Sequence, residues 1–533
     1  GLSMKQQSLF AAALLASSLL AACGQPAAQL VATPATAQAA QAAQAVQPTV
    51  TLIKGRAAAG FNTEINPAAA PEMPVEAMRT ALLQDSAPAA LPAQVAFPAK
   101  FLWGAATAAH QVEGHLNNDW TGEYETTPGH IKNGDTSTVG VDFYNRFDSD
   151  FGLAQGMGHN SHRLSVEWSR IEPQRGVHDA AAIAHYHAVF ASMKAHGLKP
   201  MVTLHHFTSP KWVAAQGGWL ADQTIGDFAR FAAFMGLEYG GEVDSWIPVN
   251  EPNVYAFNSY ESGQWPPMHK DREEALKVMA NLAKGHAAAY HALHAADQDD
   301  ADGDGINAEV GTALHIALFD AARWYNPIDI ATAYFNDKVF NRAFLKAVTA
   351  GELDFSIPGS KGVKGKWADA TNTVDFLGFN YYTRWCCKGG DRAPKAGAPV
   401  TAMGWENYPE GMYRAAKLVN SYHKLPDGRR VPLMITENGI DDRTGADRNA
   451  YTVQHLQQVA RAIKDGVDVR GYMTWTLMDN FEWADGYTPK FGLYTVDRAH
   501  NLARVATPTV ALFTNITAAN GLTADMITTY GTK

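Results

Sequence analysis

Two glutamates, Glu251 and Glu437, each stand directly after a short apolar segment. If both segments are parallel strands of one closed barrel, their carboxyl ends open at the same mouth and the two carboxyl groups face one cavity. Such a pair can hydrolyse a glycosidic bond when one group is protonated and the other is ionised. A single glutamate at a strand end is more simply explained by a salt bridge, so the prediction depends on the pair and its neighbours.

Polar side chains at neighbouring segment ends favour the chemical interpretation. Asn250 directly precedes Glu251, and Tyr382 follows the sixth apolar segment. Arg163 lies inside the second segment, from which its guanidinium can reach the barrel centre, lower a carboxylate pKa and orient that carboxylate through paired N–H donors. We therefore predict that Arg163 supports one of the two glutamates, and a salt bridge within the barrel core is the alternative for this residue.

Tryptophans and histidines near the predicted mouth have a structural alternative, because indoles and imidazoles are often partly buried core residues. Sugar rings present apolar C–H faces that stack on indoles, so we assign Trp475 and Trp483 to substrate and Trp103 to packing. His205 and His206 are adjacent, which suggests a metal site. Consecutive strand residues point to opposite faces, however, so the two cannot easily bind one ion.

Short apolar segments alternate with longer amphipathic stretches from residue 101 onward, which is the pattern of repeated βα units and a parallel sheet. The intervening stretches are long enough for helices, for example over 225–239 and 273–296. Eight segments predict an α/β fold, a single (β/α)8 TIM barrel, with the active site at the carboxyl ends of its strands. The eight predicted strands are 101–107, 161–168, 201–206, 245–250, 309–317, 374–381, 432–436 and 471–477.

The composition fits a large folded domain that binds an uncharged ligand. Of the 533 residues, 46% are hydrophobic and 18% are charged, which excludes a wholly disordered chain or a coiled coil. The formal net charge of −10 makes nucleic acid an unfavourable partner. The 3 cysteines are too few to form a disulfide framework for a chain of this length.

The N-terminal region has the features of an export signal. Met4 and Lys5 precede an apolar run over 9–22 that is short for a bilayer span. Small residues lead directly into Cys23, as at bacterial lipoprotein processing sites, so we predict a signal peptide over 4–22 and lipidation at Cys23. The protein would then be exported to face the periplasm or the cell exterior, and it would contact a membrane only through that anchor. An ordinary Ala/Leu helix is the alternative, although it does not explain Lys5.

The stretch between Cys23 and the barrel has low sequence complexity. Residues 24–50 contain no charged and no aromatic side chain, and Ala and Pro stay frequent up to residue 96. Every tryptophan lies beyond residue 100, so a packed core is expected only after this stretch. We predict a disordered, Ala/Pro/Gln-rich linker over 23–96, a barrel domain over 97–515 and a C-terminal tail over 516–533.

Several short motifs follow one another in a fixed order along the predicted barrel. They are Phe97-Pro98-Ala99-Lys100-Phe101-Leu102-Trp103-Gly104, Gln111-Val112-Glu113-Gly114, Arg163-Leu164-Ser165, Glu167-Trp168-Ser169-Arg170, Thr203-Leu204-His205-His206, Asn250-Glu251-Pro252, Asn380-Tyr381-Tyr382, Thr436-Glu437-Asn438-Gly439 and Asp479-Asn480-Phe481-Glu482-Trp483. In this order and spacing they resemble glycoside hydrolase family 1, the retaining β-glucosidases and β-galactosidases, over about residues 97–513. One departure is Phe207, where the family usually has tryptophan.

The resemblance implies a double displacement through a covalent glycosyl-enzyme. Glu437 is then the nucleophile and Glu251 the acid/base, which is the pair that the strand ends indicate. Arg163 and Tyr382 hold Glu437 ionised, and Asn250 binds the 2-hydroxyl of the sugar. The residues implied to bind the non-reducing sugar are Gln111, His206, Asn380, Trp475, Glu482 and Trp483.

By the same resemblance the protein is an exo-β-glycosidase that requires no cofactor. It is expected to hydrolyse terminal β-D-glucosyl residues, and also β-D-galactosyl or fucosyl residues, of small-molecule β-glycosides or short oligosaccharides. Glu482 disfavours 6-phosphorylated substrates because its carboxylate would repel a phosphate. Two alternatives stay open, namely a transglycosylase that uses the same intermediate and a carbohydrate-binding lipoprotein without turnover. The aglycone, the ranking of sugars and the oligomeric state also stay open.

An acidic loop forms a secondary motif. Asp300, Asp302 and Asp304, followed by Gly305, match the first half of a calcium-binding loop. The second half fails, because Gly311 stands where a bidentate glutamate is needed. Structural calcium and a plain acidic turn are the two interpretations of this loop.

A pair of adjacent cysteines, Cys386 and Cys387, follows the Asn-Tyr-Tyr motif. Consecutive Cα atoms are about 3.8 Å apart, which is too close for an unstrained disulfide. We predict free thiols, and a vicinal disulfide is the alternative in an exported protein.

Overall fold

The computed structural model describes residues 94–532. The predicted signal peptide over 4–22, the lipidation site at Cys23 and the linker up to residue 93 lie outside the described residues. Among the residues that are described, no helix is both long and apolar enough to cross a membrane.

The described part of the chain contains strands and helices in the alternation that the sequence predicts. The strands are β1 (Val95–Ala96), β2 (Leu102–Ala106), β3 (Ser161–Ser165), β4 (Lys199–His205), β5 (Ser245–Val249), β6 (Glu309–Val310), β7 (Leu314–Ala321), β8 (Gly351–Phe355), β9 (Val363–Thr371), β10 (Leu377–Lys388), β11 (Asp391–Ala393), β12 (Leu433–Asn438), β13 (Val469–Trp475), β14 (Tyr494–Asp497), β15 (Ala503–Ala506) and β16 (Gly521–Leu522). The α-helices are α1 (Ala109–Val112), α2 (Glu123–Thr126), α3 (Phe143–Gly156), α4 (Trp168–Ile171), α5 (Ala180–Ala195), α6 (Lys211–Ala215), α7 (Gln223–Tyr239), α8 (Pro252–Ala256), α9 (Arg272–Ala296), α10 (Pro327–Asn336), α11 (Ala343–Ala350), α12 (Glu410–Asn420), α13 (Arg448–Lys464), α14 (Pro508–Ala519) and α15 (Ala524–Tyr530).

Eight parallel strand positions close into a barrel. The order is β2, β3, β4, β5, the consecutive segments β6 and β7, then β10, β12 and β13, which pairs again with β2. Helices cover the outside by burying one stripe each. In α7, for example, Phe228, Phe231, Met235 and Tyr239 recur at helical spacing and are buried. This arrangement confirms the predicted TIM barrel.

The fifth and sixth predicted strands differ from the observed ones. The fifth, over 309–317, is divided into β6 and β7, and the sixth, over 374–381, becomes β10, which continues to Lys388. The extension of β10 contains Arg384, whose buried guanidinium lies 2.6 Å from Glu406 and 3.2 Å from Asp320. These two acids neutralise the charge of Arg384 and accept its hydrogen bonds. The strand can therefore continue through a polar segment whose sequence is typical of a loop.

The register of the sheet brings the site residues to one level. Asn380 on β10 lies beside Glu437 on β12 and beside His315 on β7. At the end of β12, a Cβ atom on Gly439 would collide with the carbonyl oxygen of Trp475. Glycine at this position therefore lets the end of β12 approach β13 closely.

The two ends of the described chain meet at the N-terminal ends of the barrel strands. Strand β1 pairs with β16 in an antiparallel register, and Asn520 binds Phe97, Pro98 and Trp103 through its amide group. Residues 516–530, which the sequence analysis assigns to a C-terminal tail, form the end of α14, β16 and α15. The boundary at 515 is therefore corrected, because the fold continues to about residue 530.

Candidate active site

Glu437 ends strand β12 and is almost fully buried. Its Oε1 accepts a hydrogen bond from Arg163 Nη1 at 2.5 Å, and its Oε2 accepts one from the Tyr382 hydroxyl at 2.8 Å. Arg163 lies on β3 with a side chain that is 1% exposed, so this charge pair is shielded from water. Both carboxylate oxygens are thereby fixed in orientation.

Asn250 and Asn380 connect the two glutamates. Arg163 Nη2 donates to Asn250 Oδ1 at 2.6 Å, and Asn380 Nδ2 lies 3.3 Å from the same oxygen. Asn380 Nδ2 also donates to Glu251 Oε1 at 2.8 Å. The side chains therefore form one continuous hydrogen-bonded network from Glu437 through Arg163 and the two amides to Glu251, and any rotation of one member disturbs the others.

Glu251 lies at the end of β5, in a backbone conformation that is uncommon for glutamate. Its φ of 40° is in the left-handed region, and Pro252 directly starts helix α8. Non-glycine residues in this region are often found at functional sites, where the surrounding structure enforces the strain. The turn directs the carboxyl group to Asn380.

His315 is a site residue that the sequence analysis missed. Its Nδ1 lies 3.0 Å from Glu251 Oε1, and its ring stacks on Tyr382 at a centroid distance of 5.7 Å. No motif in the sequence marks His315, because it lies within the apolar run that predicts the fifth strand. The sequence pattern could not show that His315 and Glu251 lie side by side at neighbouring positions of the barrel.

The two glutamates interact electrostatically. Burial and the nearby Glu251 carboxyl raise the pKa of Glu437 to about 7, although Arg163 and the Tyr382 hydroxyl lower it. Arg163 binds Glu437 directly, so its guanidinium favours the ionised form of this carboxyl group.

Gln111, which lies on helix α1 and is predicted to bind the sugar, is paired with Asn480. Gln111 Nε2 donates to Asn480 Oδ1 at 3.1 Å. Within residues 94–532, Gln111 Oε1 is buried and has no hydrogen-bond partner. A buried acceptor without a partner costs free energy, which a ligand hydroxyl would recover by donating to it.

Glu482 and Trp475 form another wall of the pocket. Trp475 Nε1 donates to Glu482 Oε1 at 3.0 Å. Burial raises the pKa of Glu482 to about 8, with the nearby Glu437 adding to the effect and Trp475 opposing it. At neutral pH the Glu482 carboxyl is therefore mostly protonated, so it can donate a hydrogen bond as well as accept one.

His206 and Trp483 complete the set of predicted sugar contacts. His206 Nε2 lies 3.2 Å from Asn250 Nδ2, and its ring is nearly parallel to both Trp475 and Trp483. Trp483 also lies parallel to the buried ring of His110, at 5.4 Å, in an aromatic cluster that the sequence did not indicate. These contacts hold the Trp483 indole beside the pocket instead of leaving it free at the rim.

The pKa of Glu482 gives a prediction for pH-dependent stability. The folded protein keeps this carboxyl protonated up to about pH 8, whereas the unfolded chain ionises it near its ordinary value of 4.5. The stability of the fold should therefore fall as the pH rises from 4.5 to 8. We expect Glu482→Gln, which cannot ionise in either state, to raise the Tm by about 3 °C at pH 8 and hardly at all at pH 4.5.

Scanning calorimetry between pH 4.5 and 9 measures this difference. Glu352→Gln on strand β8 is the matched control, because Glu352 is exposed and its replacement should leave the Tm unchanged at every pH. An equal gain for Glu482→Gln at both ends of the range would contradict the buried-carboxyl explanation.

The remaining sequence predictions lie away from this network. His205 turns away from His206 and accepts a hydrogen bond from Trp219 Nε1 at 3.1 Å, so the two histidines do not share a site. Trp103 packs on Phe97, as predicted for a core residue. Cys386 and Cys387 are free thiols on β10, and the Cys387 side chain is buried.

The acidic loop lies at the opposite end of the barrel from the glutamate pair. Asp300 accepts backbone hydrogen bonds from residues 303, 304 and 305, and Asp302 lies 2.5 Å from Lys199 Nζ. The acid that joins Asp300 and Asp302 in a cluster is Asp244, not Asp304. Calcium binding by Asp300, Asp302 and Asp304 stays a prediction.

The chain matches known proteins over nearly all of its described residues. A family model described as "Glycosyl hydrolase family 1" matches residues 93–522. Beta-glucosidase A of Thermotoga maritima is 32% identical over 457 residues, which cover 80% of this chain and 98% of that protein. The 1,4-beta-D-glucan glucohydrolase of Thermotoga neapolitana is 32% identical over 458 residues, with 80% and 99% covered. A solved structure of the Thermotoga maritima beta-glucosidase with glucoimidazole has a TM-score of 0.72 and 29% identity, with 80% of this chain and 100% of that chain covered.

Proposed function

Since the chain belongs to glycosyl hydrolase family 1 and is thus a retaining β-glycosidase, we propose that it removes terminal β-D-glucosyl residues from small glycosides and short oligosaccharides. The observation that carries the proposal is the network joining Glu437, Arg163 and Glu251. It places two carboxyl groups in a single buried site, and a double displacement requires such a pair, with one group ionised and the other protonated. β-D-Galactosyl and fucosyl residues are the secondary substrates that we propose.

In the first step, Glu437 Oε attacks the anomeric carbon while Glu251 gives its proton to the leaving oxygen. The bond from the anomeric carbon to that oxygen breaks, and an ester bond to Glu437 forms. Arg163 and Tyr382 hold the attacking carboxylate in place before the reaction, so little reorganisation is needed as charge moves.

In the second step, Glu251 acts as a base. It takes a proton from water, and the resulting hydroxide attacks the anomeric carbon and displaces Glu437 as a carboxylate. Formation of the ester removes the negative charge of Glu437, so Glu251 no longer faces a second carboxylate when it takes the proton from water. His315 and Asn380, which both contact Glu251 Oε1, keep this carboxyl in one orientation through both steps.

Sugar recognition is proposed to depend on acceptors and donors that are already oriented. Asn250 is held by Arg163 and His206 and would bind the 2-hydroxyl next to the reacting carbon. Gln111 Oε1 offers an acceptor without a partner among the described residues, and Glu482 offers a carboxyl that is mostly protonated at neutral pH. A charged substrate phosphate would have to lose its hydration beside the buried Glu482 side chain, which supports unphosphorylated substrates.

Trapping of the intermediate tests the proposed function. Incubation with an activated 2-deoxy-2-fluoro-β-glucoside should add one fluoroglucosyl group to the protein, on the peptide that contains Glu437, because fluorine slows the second step. Intact mass and peptide mapping measure this adduct. A folded protein that stays unlabelled with the gluco reagent but reacts with the galacto analogue would replace glucose by galactose in the proposal, and labelling elsewhere would refute Glu437 as nucleophile.

We further propose that the enzyme is an exported lipoprotein anchored through Cys23, with the region over 23–96 as a tether. This proposal rests on the sequence of residues 4–23. Mass spectrometry of the protein from a bacterial membrane fraction should find an acyl-modified Cys23 at the N-terminus, and Cys23→Ser should move the protein to the soluble fraction. Recovery of the unmodified wild-type protein in the soluble fraction would refute the anchor.

The tether proposal predicts that catalysis does not depend on the N-terminal region. Deletion of residues 24–90 should leave kcat and KM for a soluble aryl β-glucoside within about twofold of the full chain, because the site network lies between residues 111 and 483. Initial-rate kinetics on both proteins measure this. A large fall in kcat after the deletion would show that the region is part of the enzyme instead of a tether.

We propose that the acidic loop keeps its shape without calcium. Backbone N–H groups and Lys199 already satisfy the carboxylates of Asp300 and Asp302. The Tm should therefore differ by less than about 1 °C between buffers with EDTA and with excess calcium. A rise of several degrees with calcium would instead support an ion held by Asp244, Asp300 and Asp302.

A further inference from the structure

Three exposed apolar residues lie close together in the sequence, shortly after the end of strand β7. Trp324 is 55% exposed, Tyr325 is 65% exposed and Ile328 is 54% exposed. The other exposed large hydrophobic residues within 94–532 are isolated along the chain: Val139, Val177, Leu237, Met268, Ile306, Val400 and Val505. Clustered apolar residues on a soluble protein commonly mark a binding surface.

The patch lies on the side of the barrel where substrate enters. Strand β7 carries His315, which contacts Glu251, and continues for six further residues to Ala321. At the usual rise per strand residue, Ala321 is about 20 Å farther along the strand than His315. Trp324 and Tyr325 follow shortly after, so they lie beyond the carboxyl end of β7, at the same end of the barrel as the catalytic pair.

The loop that presents the two rings is held rigidly. Arg323 Nε and Nη2 bind the two carboxylate oxygens of Asp329 at 2.8 and 2.9 Å, and Asp329 also accepts a hydrogen bond from Gly389 N at 2.7 Å. Asn326 caps helix α10, which starts at Pro327. Rings that are fixed before binding lose little entropy when a ligand covers them.

The two rings also match the surface of a sugar chain. Their centroids are 5.7 Å apart and their planes are perpendicular, so they form an angled apolar surface with polar edges from the indole N–H and the phenol hydroxyl. We infer that Trp324 and Tyr325 form a second carbohydrate contact, which binds the distal part of an oligosaccharide or β-1,4-glucan whose terminal sugar occupies the catalytic pocket. This inference rests on the proposed function for the identity of the chain it binds.

A membrane surface fits the patch less well. The protein carries a formal net charge of −10, which opposes approach to an anionic bilayer. The cation next to the rings, Arg323, is paired with the buried carboxylate of Asp329. A neutral sugar chain requires no compensating charge at this place.

Chain-length dependence tests the inference. In the full-length enzyme, kcat/KM for cellohexaose should exceed that for cellobiose about tenfold, and Trp324→Ala/Tyr325→Ala should remove this preference. The same variant should hydrolyse an aryl β-glucoside within twofold of the wild type. A second variant, Trp324→Leu/Tyr325→Leu, keeps apolar side chains without rings and should also lose the preference. Leu237→Ala, at a site that is 75% exposed on α7, is the matched control and should keep it.

The following results would contradict the inference. The proposed carbohydrate contact would be refuted if the wild type showed no preference for cellohexaose. It would also be refuted if the two double variants kept that preference. If the double variants lost binding to phosphatidylglycerol vesicles but kept the chain-length preference, Trp324 and Tyr325 would instead contact a membrane. A preference that appears only after deletion of residues 24–90 would assign them to the chain's own N-terminal region. Absence of any glucoside hydrolysis in the folded wild type would instead refute the proposed function.

Discussion

Replacing Glu437 with glycine should lower kcat/KM for an aryl β-glucoside about 10⁵-fold, which is about 7 kcal/mol of transition-state stabilisation. The loss is expected to be this large because no covalent intermediate can form without the carboxylate. Arg163 and Tyr382, which both donate to Glu437, would also be left facing an empty space. The substitution thus removes both the attacking oxygen and the negative charge that faces Arg163.

Added azide should restore part of the activity of the glycine variant. The small anion fits where the carboxylate was, next to Arg163, and can attack the anomeric carbon from the same side. The product should be the α-glycosyl azide, because a single displacement inverts the configuration that two displacements retain. Nuclear magnetic resonance of the product identifies its anomeric configuration.

Glu437→Gln is the matched control for this experiment. It fills the same volume and keeps partners for Arg163 and Tyr382, so it should be equally slow but should not respond to azide. If azide restored activity to both variants, or if the azide product had the β configuration, Glu437 would not be the nucleophile.

Replacing Glu251 with glutamine should have an effect that depends on the leaving group. For a glucoside with a poorly acidic leaving group, kcat/KM should fall about 10³-fold, because the departing oxygen is no longer protonated. For a 2,4-dinitrophenyl glucoside, which leaves without a proton, the first step should change less than about tenfold. The second step still needs a base, so the glycosyl-enzyme should accumulate and both kcat and KM should fall.

Stopped-flow kinetics with the dinitrophenyl substrate should show a burst of about one equivalent. Azide should then accelerate turnover, since it needs no base, and should give the β-glycosyl azide, the opposite configuration to that from the Glu437 variant. Glu482→Gln is a useful comparison in the same pocket, because a sugar contact should weaken binding without a burst or azide response. Equal losses for good and poor leaving groups would contradict the acid/base role of Glu251.

Much of this site could be predicted from the sequence because its residues lie at strand ends. The carboxyl ends of all barrel strands open at one mouth, independently of the loop conformations. The eight apolar segments were therefore enough to predict that Asn250, Glu251 and Glu437 lie close together. A pairing of Arg163 with one of the two glutamates followed from charge, since a buried guanidinium needs a partner, and the family resemblance implied that this partner is Glu437.

The remainder could not be predicted because it depends on register and on packing between distant segments. His315 reaches Glu251 only because Ala313 on its strand lies beside Asn250, and nothing in the apolar run shows that offset. The length of β10 depends on Asp320 and Glu406, which neutralise Arg384 from elsewhere in the chain. Tertiary contacts of this kind override local polarity.

The pairing of β1 with β16 fixes the end of the barrel at which the described chain enters. The chain enters the barrel at residue 95, beside the N-terminal ends of the strands, and Asn520 fastens it there. The glutamate pair lies at the carboxyl ends, so the point of attachment and the catalytic opening are at opposite poles of the barrel. If the protein is anchored through Cys23 as proposed, the linker joins the barrel at the end opposite the catalytic opening, so it does not have to pass that opening to reach the barrel.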